Sequence, residues 1–276
     1  RRFVAVYASR LFNERWGESV SFGPHNRLAV NMVSSGMDQT AVKAAWQPFV
    51  AWIARADSGV TPLREPIFAA VPARRWWDEQ FWRTAAPDAI AVDPRPGRDA
   101  DWWWSGDRDQ VGQYLYGYES LWLPQSLLTD DGAQERLTDA LFSASRQFDF
   151  ALHFNKGIAG APSGVKAAVT HTATNPIVLD SFALAICGDA QGPSYPGVRG
   201  HEPDVAAARN SAAAIHRCME QLRAVAPAGG AYVSESNYFE RNWQQAYWGE
   251  NYARLAAIKE RYDPDGLFRV HNGVAS

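Results

Sequence analysis

Residues 230–276 read GAYVSESNYFERNWQQAYWGENYARLAAIKERYDPDGLFRVHNGVAS, a run that joins three kinds of signal. Residues 231–237 predict a short strand, in which Tyr232 and Ser234 share one face and Glu235 points the other way. A helix is expected from Asn242, whose side chain can cap the first turn while Gln245 reciprocates three residues on, and Leu255 and Ile258 continue its apolar stripe. Gly249 is placed to break that helix near its start. It stops at Tyr262-Asp263-Pro264-Asp265-Gly266, because proline restricts the residue before it and Asp-Pro-Asp-Gly favours a tight turn.

Working back from this tail, residues 204–225 give the clearest helix, with Val205, Ala208, Ala212, Ile215, Met219 and Leu222 at helical spacing after Pro203-Asp204. Residues 133–145 predict another. Strands are expected near 148–155, 166–172 and 177–187, with a glycine-rich turn over 157–164. Residues 18–23 and 27–34 read as a β-hairpin around Gly23-Pro24-His25-Asn26. A helix follows from Asp38, with Val42, Ala45, Trp46, Phe49, Val50 and Ile53 on one face; Pro48 inside it predicts a kink or a division into two helices. Residues 86–99 are rich in Pro, Gly and Asp and read as loop. The chain opens with apolar residues at helical spacing (Phe3, Val4, Tyr7, Leu11), which suits a fragment of a longer protein. Hairpin-linked strands with helices set between them predict an α+β fold, one large antiparallel sheet with helices packed on one face. No internal linker is visible, so residues 1–276 read as a single domain.

Composition narrows the function. With 46% hydrophobic and 21% charged positions over 276 residues, the chain can bury a sizeable core. A net charge of -3 and a pI near 6.1, with Lys and Arg scattered, predict no nucleic-acid partner. No apolar run reaches the ~18 residues needed to cross a bilayer, so no membrane partner is expected; the compartment stays open. Cys187 and Cys218 are the only cysteines. They form no disulfide framework and no zinc-ligand spacing, and no metal is expected. There is no G-x-G-x-x-G after a strand, no phosphate loop with its lysine, no G-x-S-x-G and no H-E-x-x-H. Seven of the twelve tryptophans lie between residues 74 and 124. Flat rings such as Trp102, Trp103, Trp104, Tyr114, Tyr116 and Tyr118 can line a pocket and stack on sugar or aromatic substrates; core and interface packing is the plainer use of them.

The tail resembles the C-terminal segment of the berberine-bridge-enzyme-like FAD-linked oxidases of the vanillyl-alcohol oxidase superfamily. The likeness rests on Tyr232-Val-Ser234-Glu235, on Tyr247-Trp-Gly249-Glu-Asn251-Tyr-Ala-Arg254-Leu255, and on Tyr262-Asp263-Pro264-Asp-Gly-Leu-Phe268. Weaker echoes are Trp16-Gly17-Glu18, Phe154-Asn155-Lys156-Gly157 and Thr172-Ala-Thr-Asn175-Pro176. The resemblance implies a substrate-binding domain that includes a C-terminal segment of about 230–276 and roofs the ring of an FAD held mainly by an N-terminal FAD-binding domain outside this sequence. It implies oxidation of a C–H bond next to oxygen or nitrogen in a small-molecule substrate, by hydride transfer to the flavin. Carried over residue by residue, Tyr232 becomes the catalytic candidate, and Ser234, which stands where many relatives have asparagine, and Asn237 become cofactor contacts. Trp103, Tyr116, His153, Asn155 and Asp180 are the substrate-binding candidates. The base position of relatives with a carboxylate on the preceding strand falls near Ala183, with Asp180 as a substitute. Asn251, Arg254, Lys259 and Asp263 match the motif but read as helix surface, cap and stop. The alternative from another class is an aromatic-rich carbohydrate-binding module without redox activity.

Overall fold

The computed structural model describes residues 1–98, 101–154 and 157–275. In chain order its elements are α1 (Arg2–Val6), continued by a π-helical turn at Tyr7–Leu11, β1 (Trp16–Gly23), β2 (Arg27–Ser34), α2 (Gln39–Ile53), α3 (Glu79–Ala85), β3 (Ile90–Val92), β4 (Trp102–Trp104) and β5 (Tyr114–Pro124). There follow α4 (Asp131–Ser145), β6 (Phe150–His153), α5 (Ser163–Val169), β7 (Ser181–Gln191), α6 (Val205–Arg223), α7 (Trp243–Trp248) and α8 (Tyr252–Tyr262). Five strands form one antiparallel sheet in the order β2-β1-β6-β7-β5, while β3 and β4 pair as a separate ribbon.

The two faces of the sheet differ because side chains alternate along each strand. Val20, Leu152, Ala183, Ala185, Leu121 and Leu123 point to one side, where they pack against Ile215, Met219 and Leu222 of α6 and Leu137, Leu141 and Ala144 of α4. Phe3, Tyr7 and Leu11 close the same core. Each such side chain fully removed from water contributes about 1.5 to 3 kcal/mol, so this layer supplies the main drive to fold. Among the described residues no helix layer covers the other face; it holds a smaller cluster of Trp122, Leu184 and Ile186 with Tyr118, Ile177, Val178 and Tyr232. The α+β fold with helices on one side of an antiparallel sheet is therefore as the sequence predicts.

Local signals held where side chain and backbone agree. Asp38 and Asp204 cap their helices by accepting from Ala41 N at 2.8 Å and Ala207 N at 2.9 Å. Pro48 lies inside α2 and does not divide it into two helices. Packing of that helix explains its tolerance: Trp46 stacks edge-on against Trp16 at 6.0 Å and Phe49 against Phe3 at 6.3 Å. Residues 166–172 are not a strand but the second half of α5 and the turn after it. Pro162 presets the first turn and Ala167-Ala168 favours helix, which outweighs the valines on either side. The strand expected at 177–187 begins later, because Pro176–Asp180 is a 3₁₀ turn capped by Asn175. Within 86–99, Ile90–Val92 pairs with β4 and is not loop.

β5 and β7 are the longest partners in the sheet, and Tyr118 lies opposite Gly188. A Cβ at position 188 would stand 2.5 Å from the Tyr118 ring, so the glycine lets that ring lie across the strand. Gly188→Ala is expected to cost about 1 to 2 kcal/mol by overpacking, with chemical denaturation as the measurement. A second change, Tyr118→Ala, should relieve that cost when combined with it; additive losses would show the contact to be irrelevant.

Candidate functional site

The helix-free face can be read row by row from the strand register. Asn31 lies opposite Ser19, Ser19 opposite His153, His153 opposite Leu184, and Leu184 opposite Trp122. The row runs from small polar side chains at the β2 edge to buried apolar ones at β5. The next row, Ala29, Ser21, Ala151, Ile186 and Ser120, has smaller side chains and ends on the hydroxyl of Ser120 beside the aromatic cluster. Period-two alternation thus sets a polar half beside an aromatic half on one surface.

The C-terminal segment covers the aromatic half. Trp122 N donates to Gly230 O at 2.9 Å along the outer edge of β5, and Ala231 N donates to Ala246 O at 2.8 Å. Space there is short: a Cβ on Gly230 would be 2.5 Å from Ala246 O, so only glycine fits between strand edge and α7. The chain then turns away. Glu235 N donates to Tyr232 O at 3.0 Å, closing a four-residue turn in place of the regular strand expected over 231–237. The shared face of Tyr232 and Ser234 disappears with that strand.

Tyr232 is held at the start of the turn. Its backbone N donates to Ser120 Oγ at 3.0 Å, and its ring meets Trp122 edge-on at 6.1 Å. Tyr118 stands in the same cluster, and its phenol is pushed up from the ordinary value by burial first and by the negative charge of Glu235 second. Beneath the turn is a partly open cavity of about 110 Å³ lined by Trp122, Thr174, Asn175, Tyr232, Tyr247 and Trp248 among others. Asn175 organises its floor, donating from Nδ2 to Ala246 O at 2.9 Å and accepting at Oδ1 from Ile177 N at 3.1 Å.

The other predicted residues scatter. Ser234 is exposed at the tip of the turn. Asn237 is engaged locally, its Oδ1 accepting from Phe239 N at 2.9 Å and its carbonyl from the Tyr247 hydroxyl at 2.8 Å. His153 lies mid-row on the helix-free face, one strand from the cluster, and Asn155 lies outside the described residues. Tyr116 donates to Gln191 Oε1 at 3.0 Å at the far end of β5. Asp180, with a side chain 70% exposed, accepts from Gln125 Nε2 at 3.2 Å and pairs with Lys166 at 3.4 Å. Trp103 sits on the ribbon opposite Ala91, on the other face from Trp102 and Trp104, whose rings meet at 5.3 Å. Trp104 in turn meets Trp76 at 5.6 Å and Trp82 at 5.3 Å, so these rings mainly pack on one another. Ala183, where the base position falls, packs on the helix side of the sheet.

Asn251 Nδ2 donates to Thr174 O at 2.7 Å and Arg254 donates to Thr172 O at 3.1 Å, tying the last helix to the loop that carries Asn175. Asp263 accepts from Leu267 N at 2.7 Å, Phe268 N at 3.0 Å and Lys259, so the motif's end is a folded stop. The capping box at Asn242 does not form. Gly249 does interrupt the helix, separating α7 from α8 at φ 53°. Sequence reading names Tyr118 only among the rings that can line a pocket and misses Ser120, Trp122, Asn175, Trp248 and Glu235; alternation over 118–122 is the one local signal for Ser120 and Trp122. Among the described residues no three His, Cys, Asp or Glu side chains gather as a metal site, and no helix is long and apolar enough to cross a membrane.

Residues 231–275 match the family described as berberine and berberine like. Over 252 residues, 91% of this chain and 38% of the relative, the sequence is 26% identical to the VAO-type flavoprotein oxidase VAO615 of Thermothelomyces thermophilus. It is 46% identical over 71 residues, 25% of this chain and 12% of the relative, to the FAD-linked oxidoreductase cheF of Chaetomium globosum. The fold matches the crystal structure of the VAO-type flavoprotein MtVAO615 from Myceliophthora thermophila with a TM-score of 0.64 at 24% identity, covering 100% of this chain and 43% of that one. It also matches Physcomitrella patens BBE-like 1 with a TM-score of 0.58 at 13% identity, covering 98% and 50%. The chain thus spans half or less of these relatives' length. Its C-terminal segment carries the berberine-like family domain, and over most of its length the chain is similar to VAO-type flavoprotein oxidases.

Proposed function

We propose that this chain is the substrate-binding part of an FAD-dependent oxidoreductase that oxidises a C–H bond next to oxygen or nitrogen, with FAD held mainly by an N-terminal domain of a longer protein. The observation that supports it best is the helix-free face: a sheet whose other side is fully packed presents here a polar half beside an aromatic half. A cavity of about 110 Å³ is well below the ~300 Å³ of a site that encloses a whole small molecule, so a flavin ring fits against this face and not inside it. When bound, the flavin supplies the hydride acceptor.

The chain's own residues supply position and proton handling. Tyr232, fixed through Ser120 and Trp122, contacts the substrate or moves its proton through the phenol oxygen. Tyr118, Trp122 and Leu184 form the wall that excludes water, while His153 and Ser19 offer polar contacts across the face. Ser234, at the exposed tip of its turn, is the cofactor contact. The carbohydrate-module reading has one observation in its favour, the Trp77 ring left 73% exposed on the tryptophan cluster, and it accounts for neither the helix-free face nor the C-terminal match.

Co-expression of the chain with its FAD-binding segment is expected to give a yellow complex with a flavin absorbance spectrum; a colourless complex overturns the reading. In that complex Tyr232→Phe is expected to slow flavin reduction by substrate about 100-fold, the lower end for loss of a proton-transfer group. An unchanged reductive half-reaction removes Tyr232 from the mechanism.

A further inference from the structure

We infer that the open hollow between Trp243 and the last turns of the chain is a binding site for an aromatic acid, with the carboxylate on Arg269 and the ring against Trp243. The hollow has a volume of about 400 Å³ and is lined by Trp243, Arg269, Val270, His271 and Asn272. It shares no lining residue with the cavity beneath the Tyr232 turn. Its size falls within the ~300 to 1,000 Å³ of sites that hold a whole small molecule.

Contacts to the rest of the fold fix its walls. His271 Nε2 donates to Tyr238 O at 2.6 Å and its ring stacks on the Tyr238 ring at 3.8 Å, while Asn272 Nδ2 donates to the same carbonyl at 3.1 Å. Trp243 is met edge-on by Tyr252 at 5.5 Å. Arg269 is held as well: its Nε donates to Gly266 O at 3.1 Å, and a Cβ on Gly266 would stand 2.7 Å from Nη2 and 2.9 Å from Nε. That edge of the guanidinium therefore rests on the backbone at Gly266, which leaves Nη1 on the far side. Among the described residues no carboxylate pairs with Arg269, and no Asp or Glu lines the hollow. A positioned guanidinium with free N–H groups and no countercharge takes a carboxylate through charge-assisted hydrogen bonds. Trp243 and Val270 add an apolar wall, on which the flat ring of an aromatic acid packs and a compact inorganic oxyanion gains nothing. This inference stands on the hollow alone and holds whether or not the flavin reading does.

The test is heteronuclear NMR of the intact protein labelled with nitrogen-15, titrated with benzoate, with its uncharged isostere benzamide and with inorganic phosphate. Trp243→Leu and Arg269→Gln assign the Trp243 indole and Arg269 Nε resonances. Benzoate is expected to shift both along one saturating curve, with benzamide and phosphate each weaker by about tenfold. Arg269→Gln should weaken benzoate by about tenfold, the worth of one charge-assisted hydrogen bond, and leave benzamide unchanged. Resonances that do not move with benzoate overturn the proposal, as does equal binding of benzamide or of phosphate. Should Trp243→Leu fail to fold, Arg269→Gln decides, because Arg269 is exposed and gives up only its bond to Gly266 O: unaltered benzoate affinity in that variant also overturns it.

Discussion

Arg223→Met is expected to destabilise the protein by about 3 to 5 kcal/mol, the cost of leaving a buried carboxylate without its partner. The carboxylate is Glu119, 5% exposed, whose side chain leaves β5 on the helix side of the sheet. Arg223, in the last turn of α6, meets its Oε2 at 2.5 Å, and His216 Nδ1 stands 3.2 Å from Oε1. Arg223 also reaches Glu220 at 3.0 Å, but that partner is half exposed and water can replace it. Methionine keeps much of the aliphatic stem and removes only the charge and the donors, so the loss reports the stranded carboxylate and not a cavity. The paired change Glu119→Leu with Arg223→Met is expected to restore most of the stability, because an apolar pair needs no desolvation. Urea unfolding of wild type, both single variants and the double variant measures the coupling. A loss below about 1 kcal/mol in Arg223→Met, the worth of an exposed pair, would show that Glu119 finds solvent.

This pair also marks the limit of what the sequence discloses. Glu119 sits in a run of aromatics, 114–122, that reads as pocket lining or as core and interface packing; in the fold the run belongs to β5, an 11-residue strand beside β7. Helices announced themselves because caps and spacing are local: Asp38 and Asp204 bind backbone groups three residues away. The alternation over 231–237 misled because a turn closed by one hydrogen bond and a strand look alike until a neighbouring strand is known. Family likeness drew attention to Tyr232, while its partners Ser120 and Trp122 lie more than a hundred residues upstream and become visible only through the register of β5. Asn175 shows the same thing most clearly, since its contacts reach Gln245 and Ala246 across the chain.

At Asn175, substitution by aspartate is expected to cost about 3 kcal/mol at neutral pH and far less in acid. The side chain is 6% exposed, and its Nδ2 donates to Ala246 O at 2.9 Å and Gln245 O at 3.4 Å while Oδ1 accepts from Ile177 N at 3.1 Å. Aspartate preserves shape and the Oδ1 acceptor, yet when ionised it sets a second oxygen against two carbonyl oxygens with no donor between them. Two acceptors lose their partner and a charge is buried, each worth about 1 to 3 kcal/mol. Protonation repairs part of this, because a neutral carboxyl can donate one hydrogen bond to Ala246 O. The folded-state pKa of Asp at 175 must therefore lie above the unfolded value of about 3.9. The deficit is then smallest below pH ~4 and grows as pH rises through the raised folded pKa, the sign linkage requires. A Cβ on Gly249 would lie only 2.6 Å from Asn175 Oδ1, so this side chain packs directly against the junction of α7 and α8. Thermal unfolding across pH 3 to 8 checks this. A deficit that does not change with pH would mean that shape alone is recognised at this position, while no deficit at neutral pH would mean that the C-terminal segment stays in place without Asn175.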